Sequence, residues 1–286
     1  MKFFFITNSV ELAKFAQAHG ADRIFVDLEI NGKMQRQGHL STVISRHELA
    51  DVERLRPHVK PGALLVRINP LDHASELEID QVIDAGADLI MLPMFSTPAE
   101  VAEFVRLVRA RARTMLLVET VGAMETLADC IAVKGVDEVH IGLNDLHLEL
   151  GRDFMFELLA EGLVDAMAEV LNAAAMPFGI GGVARVGEGL LPAELILAEH
   201  ARLGSTAAIL SRTFHREASS VTEIEANMDF SAEVDKLRVS YAAHCASSEQ
   251  TLLSYHFEAR KKIGQIAASM ANRKAKLKEA TDNVYA

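Results

Sequence analysis

The chain has 286 residues, half of them hydrophobic and only seven of them proline, which suits one large α/β core and excludes a disordered or collagen-like chain. A formal net charge of -11, spread along the sequence, excludes a broad basic surface for nucleic acid or anionic lipid. No apolar run approaches the ~20 residues that span a bilayer, and two distant cysteines, Cys130 and Cys245, give no zinc spacing or disulfide framework.

In chain order, the opening MKFFFITNSVELAK turns polar too soon for a signal peptide, so a reducing cytoplasm is the expected location. Strands are predicted at 3–8, 23–29, 63–69, 89–95, 114–120, 138–144, 177–182 and 207–212. These runs are apolar on successive residues, as in parallel strands buried on both faces. The segments between them carry helical periodicity, such as Leu12, Phe15 and Ala16, or Val101, Phe104, Val105 and Val108. HGADRIFV and AGADLIML each read as a glycine ending a helix, followed by a short turn into a strand. Eight βα units fit a (β/α)8 TIM barrel better than an open doubly wound sheet, and neither GxGxxG after the first strand nor a P-loop is present. The barrel is assigned to residues 1–220 and additional C-terminal helices to 221–286. That extension is basic between Arg260 and Lys278, in keeping with a solvated face. Leu252, Leu253, Phe257 and Ile263 also give it apolar contacts for packing on another subunit, so a homo-oligomer is expected.

Function in such a barrel sits where the strands end. Those ends supply Asn8, Asp27 and Glu29, Arg67 and Asn69, Met94, Glu119, Asn144 and Asp145, Gly181 and Gly182, and Ser211 and Arg212. Each has a plain alternative as a helix cap or surface group. The combination is more specific. Glu119 and Asp145 close successive apolar runs, and adjacent strands lie ~4.8 Å apart, so both carboxylates can reach one Mg²⁺ or Mn²⁺. Without a cation they would repel each other in a partly dry mouth.

No strand places a lysine in that mouth: Lys2, Lys60 and Lys134 precede strands and Lys33 lies in a loop. Schiff-base chemistry is therefore disfavoured, and carbonyl activation falls to a Lewis acid and to Arg67. Its planar fork suits a carboxylate or enolate oxygen. The competing reading ties Arg67 to Asp27 or Glu29 for packing alone.

The runs FVDLE, LLVRINP, LIMLPMF, LLVET and GLNDLH, in this order, resemble the HpcH/HpaI aldolase and citrate lyase β-subunit family over residues 3–215. The resemblance implies a divalent-metal enzyme that makes or breaks a carbon–carbon bond beside a 2-oxo acid or acyl-CoA carbonyl. It implies Glu119 and Asp145 as metal ligands, Arg67 as the group that stabilises a pyruvate enolate, and the backbone around Asn144 as a holder of the substrate carboxylate. Asp27 and Glu29 join the candidate binding residues. Small 2-oxo acid and aldehyde substrates follow; a CoA-ester lyase and a non-catalytic metabolite-binding barrel are the alternatives. The sequence departs from the family where a histidine commonly follows the acidic residue after the second strand, because Glu29 is followed by Ile30, Asn31 and Gly32. The proton-transfer candidates are His39, His147 or a metal-bound water, and the loop at 30–46 is read as a lid. Gly182 in FGIGGVAR and Arg212 in SR stand where many barrels bind phosphate.

Overall fold

The computed structural model describes residues 1–30, 47–215, 218 and 220–282. Eight parallel strands close into one barrel in sequence order: β1 Lys2–Ile6, β2 Arg23–Asp27, β3 Leu64–Arg67, β4 Leu89–Leu92, β5 Arg113–Val118, β6 Glu138–Ile141, β7 Phe178–Val183 and β8 Ala207–Leu210. β1 pairs with both β2 and β8, which closes the ring. The fold expected from the alternating pattern is present: a (β/α)8 barrel followed by C-terminal helices.

The chemistry of each junction is local. The Pro98–Val108 helix begins at Thr97, whose Oγ1 accepts from the Glu100 N–H at 3.3 Å while the Glu100 carboxylate accepts from the Thr97 N–H at 2.9 Å. Proline at its first position has no N–H to leave unsatisfied. The two junctions HGAD and AGAD turn on Gly20 and Gly86, with φ of 104° and 97°, a region that side-chain-bearing residues avoid.

Two apolar layers follow from strand alternation. Phe4, Phe25, Leu65, Leu89, Met91, Met115, Leu117 and Ala207 form the cluster inside the barrel, and the larger cluster lies between strands and surrounding helices. The amino-terminal end of the barrel is closed by charge. Arg23 donates from Nη1 and Nη2 to the two Glu138 oxygens at 2.6 and 2.7 Å, its guanidinium lies 5.1 Å from the Phe4 ring centre, and Arg113 and Lys2 also pair with Glu138.

Seven of the eight strands end earlier than the sequence suggests, and β7 runs one residue further, to Val183. Residues 68–69, 93–95, 119–120 and 142–144 have left their strands, because the chain there turns into the loops of the carboxyl-terminal face. Asn144 and Asp145, expected at a strand end, lie instead in the first turn of the Leu143–Glu149 helix.

The C-terminal helices Phe230–Cys245 and Glu249–Asp282 pack on the barrel of their own chain, chiefly against the Ala193–Leu203 helix. Ala259, Ile263 and Ala267 are buried there, His256 Nδ1 lies 2.9 Å from Glu199 Oε1, and the Tyr241 hydroxyl donates to Ser205 O at 3.0 Å. Of the residues read as contacts for another subunit, Ile263 is spent on its own barrel. Leu253 and Phe257 remain 40% and 63% exposed. No described helix is long and apolar enough to cross a membrane.

Candidate active site

β2 and β3 run side by side with Asp27 in register with Arg67 at their carboxyl ends. Arg67 donates from Nε to Asp27 Oδ1 at 2.8 Å and from Nη2 to Asp27 Oδ2 at 2.9 Å, and its Nη1 lies 3.2 Å from Glu29 Oε2. The pairing that a merely packed arginine would show is therefore present. Burial works against the charge of Arg67, but Asp27, Glu29 and Glu119 outweigh it and hold the guanidinium protonated, above the ordinary arginine range. The side chain also lies over Phe25, 5.8 Å from the ring centre.

Glu119 follows β5 and is 3% exposed. Its Oε1 accepts from the Met94 N–H at 3.2 Å, and Met94 reaches that position with φ 54°. A left-handed backbone costs a residue with a side chain roughly 1–2 kcal/mol, so this loop carries strain at the point where it meets the carboxylate. Gly142 leaves the space on the other side: a Cβ there would fall 2.8 Å from Glu119 Cβ and 3.1 Å from Oε2. Thr120 anchors the next turn, donating to Phe95 O at 2.6 Å while its Oγ1 accepts from the Ala123 N–H at 3.0 Å.

Asp145 is buried close enough to Glu119 to act on its charge. Burial, helped by Asp145 and Glu29 and opposed by Arg67, pushes the Glu119 carboxyl up to about 8. The mouth thus sets three carboxylates, Asp27, Glu29 and Glu119, around the guanidinium of Arg67, with Asp145 beside Glu119. Among the described residues, no group of three or more His, Cys, Asp or Glu side chains forms a ready metal cage. A pair of neighbouring carboxylates with excess negative charge fits the open kind of site, in which a Mg²⁺-like ion takes one or two protein carboxylates and completes its shell with water and substrate.

The other expected residues are less closely gathered. Asn144 is half-buried in the same helical turn as Asp145. His147 is buried, and its Nδ1 lies 3.1 Å from Leu143 O, so Nδ1 carries the proton and Nε2 holds the lone pair. Burial lowers its pKa against the opposing pull of the Asn144 and Leu143 carbonyls, Asp145 and Glu157. Gly182 borders β8, where a Cβ would sit 3.2 Å from Ile209 O, and Arg212 opens the short turn Arg212–Phe214 on the outside. His39 and the loop read as a lid lie outside the described residues.

Sequence reasoning missed two residues and named a third only as a strand end. His47 accepts a hydrogen bond from the Asp27 N–H through Nδ1 at 3.0 Å, behind the Asp27–Arg67 pair. His140 lies inside the barrel, its Nε2 3.0 Å from Gly181 O. Because a carbonyl only accepts, Nε2 carries the proton, and burial lowers the ring to about 4, so it is neutral. Met94 is the third. A histidine before a helix start, or an apolar methionine after a proline, carries no signal of its own in a sequence; only the fold reveals what each touches.

A family model described as HpcH/HpaI aldolase/citrate lyase matches residues 1–186. The chain belongs to this family. A hydroxypyruvate/pyruvate aldolase from Roseovarius nubinhibens is 30% identical over 127 residues, 33% of this chain and 49% of the relative, so the chain spans about half the length of that curated relative. Among solved structures, an HpcH/HpaI aldolase from Desulfitobacterium hafniense superposes with a TM-score of 0.59 at 16% identity, covering 80% of this chain and 93% of that one. The citrate lyase beta subunit from Mycobacterium tuberculosis, complexed with oxaloacetate and magnesium, gives 0.57 at 18% identity, covering 84% and 96%. At such identities the structural likeness shows the HpcH/HpaI barrel fold.

Proposed function

We propose that this member of the family is a class II, divalent-metal-dependent aldolase or lyase that makes or cleaves a carbon–carbon bond through the enolate of a pyruvate-type 2-oxo acid. The observation that carries the reading is Glu119: a buried carboxylate that has both Asp145 and Arg67 as charge neighbours. Glu119 and Asp145 would hold Mg²⁺ or Mn²⁺, which supplies Lewis-acid polarisation of the 2-oxo group. Arg67 donates N–H groups to the oxygen on which negative charge develops, in a mouth dry enough for such bonds to count. Asp27 and Glu29 fix the plane of its fork, and the backbone around Asn144 holds the substrate carboxylate. His147, neutral with a lone pair on Nε2, is the described residue we assign to proton transfer, and Gly182 and Arg212 border the side from which the aldehyde enters. The enzyme would work in the cytoplasm as a homo-oligomer joined through the exposed Leu253 and Phe257 face of its last helix.

Incubation with pyruvate in D2O, followed by NMR of the methyl protons, tests this directly. Exchange should require Mg²⁺ or Mn²⁺, stop with chelator and fall at least ~100-fold in Glu119→Gln, Asp145→Asn and Arg67→Met, the loss expected for a main electrostatic group. His147→Gln should slow it ~10–100-fold. Exchange that survives chelator, or proceeds unchanged in the Glu119 and Asp145 variants, overturns the enolate reading.

A further inference from the structure

β1 and β2 separate just before the residue that grips Arg67. Their registered pairs end at Ile6 and Phe25, and the Thr7 N–H donates to Phe25 O at 3.2 Å. One more step of a parallel ladder would give the Asp27 N–H to Thr7 O. The chain turns away instead, through Ser9 into the Val10–Ala18 helix, and the Asp27 N–H donates to His47 Nδ1 at 3.0 Å. An imidazole thus stands where a strand would. Because Nδ1 accepts, the ring is neutral and carries its proton on Nε2.

The residue after His47 is fastened to the same strand end. The Glu48 N–H and Asn8 Nδ2 both donate to Asp51 Oδ2 at 2.9 Å, and Arg54, which pairs with Asp51, donates to Asn8 O at 3.2 Å. On its other side Asp27 belongs to β3, since the Leu28 N–H donates to Arg67 O at 2.9 Å. The Asp27 carboxylate takes Nε and Nη2 of Arg67, and its Oδ1 also accepts from the Glu29 N–H at 3.3 Å. Printed contacts therefore run without a break from the end of β1, through Asp51, Glu48 and His47, to the guanidinium.

We propose that His47 is a positioning residue for Arg67: its neutral ring, in place of a strand partner, fixes the Asp27 backbone and through it the plane of the guanidinium. That this plane serves an enolate rests on the reading above; the clasp itself does not. Asp27 is 2% exposed, so a lost acceptor is not readily replaced by water, and a peptide free to rotate would carry the carboxylate with it. A displacement of about 1 Å at a reacting group costs on the order of 100-fold in rate.

Nitrogen-15 NMR reads the clasp without turnover. The wild type should show a coupling across the N–H···N bond between the Asp27 amide and His47 Nδ1, together with a slowly exchanging Arg67 Nε–H. His47→Leu removes the acceptor and should speed exchange of both protons at least ~10-fold. His47→Asn sets a side-chain oxygen near the place of Nδ1 and His47→Gln near that of Nε2, so Asn should restore slow exchange and Gln should not. Thermal melts confirm that each variant is folded, and if His47→Leu is not, the comparison of Asn with Gln carries the test. In metal-dependent pyruvate methyl exchange, His47→Leu and His47→Gln should lose at least ~10-fold in kcat with KM within about twofold, as for an interaction realised in the transition state. His47→Asn should stay within about threefold of the wild type. No N–N coupling in the wild type, equal Arg67 Nε–H exchange in wild type and His47→Leu, or rescue by Gln in place of Asn overturns the clasp. Absence of pyruvate methyl exchange in the wild type instead removes the enolate reading, while the Arg67 Nε–H exchange still decides for or against His47.

Discussion

Glu119 illustrates how one side chain can be destabilising and useful at once. Its carboxyl is raised from an ordinary 4.5 to about 8, so the folded protein without a cation prefers the protonated acid. A raised value means that the stability it contributes is fully present below pH 4.5 and is lost as pH rises through about 8, at up to ~1.4 kcal/mol per pH unit. In chelator, Glu119→Gln should therefore melt above the wild type at pH 8.5, with the gap closing towards pH 5. An equal gap at both pH values would show that the carboxylate is not held at such a cost. The buried histidines act in the opposite direction. Burial lowers His140 to about 4 and His200 to about 3, so both are neutral in the fold and protonated in the unfolded chain below 6.5. Stability is fully present above pH 6.5 and is lost as pH falls through this range. Chemical denaturation at pH 7, 6 and 5 should show a progressive loss, and His200→Gln should flatten it; a profile that is flat down to pH 5 would contradict neutral burial.

At the scale of elements, the barrel is built around absent side chains as much as present ones. Gly179 on β7 is one: a Cβ there would fall 2.5 Å from His140 Nδ1 and 2.8 Å from Ala207 O. The ring of β6 and the carbonyl of β8 thus both occupy the space next to β7, where the β7–β8 register shifts between Gly179 and Gly182. Gly179→Ala should cost about 1–3 kcal/mol, the usual range for overpacking, measured by urea denaturation; a cost below ~0.5 kcal/mol would mean that the ring simply moves aside. The same elements show what could be read in advance. Eight strands were legible because a strand buried on both faces must be apolar throughout, and Glu119, Asp145 and Arg67 stood out as polar groups closing such runs. Strand ends were not legible, since Leu143 is as apolar in a helix as in a strand, and only the turn at Gly142 decides. His47 was hidden for a related reason, since its importance lies in a partner distant in sequence, and Met94 showed only as a strand end, without its backbone angle.

For the whole molecule, the last helix divides its labour between two faces. Ile263 is fully buried against its own barrel, whereas Phe257, six residues earlier on the same helix, is largely exposed. Ile263→Ala should lower unfolding free energy by about 2–5 kcal/mol, as for other large core truncations. Phe257→Glu should leave the melting temperature within a degree or two and reduce the mass seen by light scattering. If Phe257→Glu unfolds the chain instead, that face belongs to the fold and not to an assembly. The network behind it, in which Glu199 receives Arg202 and His256 while Arg202 also reaches Asp165, binds the helix to the barrel through groups that are largely withdrawn from water. This placement was beyond the sequence, because an amphipathic stripe specifies that a face will be covered and not by which neighbour.

The Arg23–Glu138 plug, with Arg113 and Lys2 closing over it, gives the barrel a floor as well as a mouth. A vessel sealed at the bottom has one door, and traffic through one door has an order. Under the proposed reaction, the 2-oxo acid beside Glu119 would have to arrive before the aldehyde and depart after it, a queue imposed by the architecture and by no single side chain.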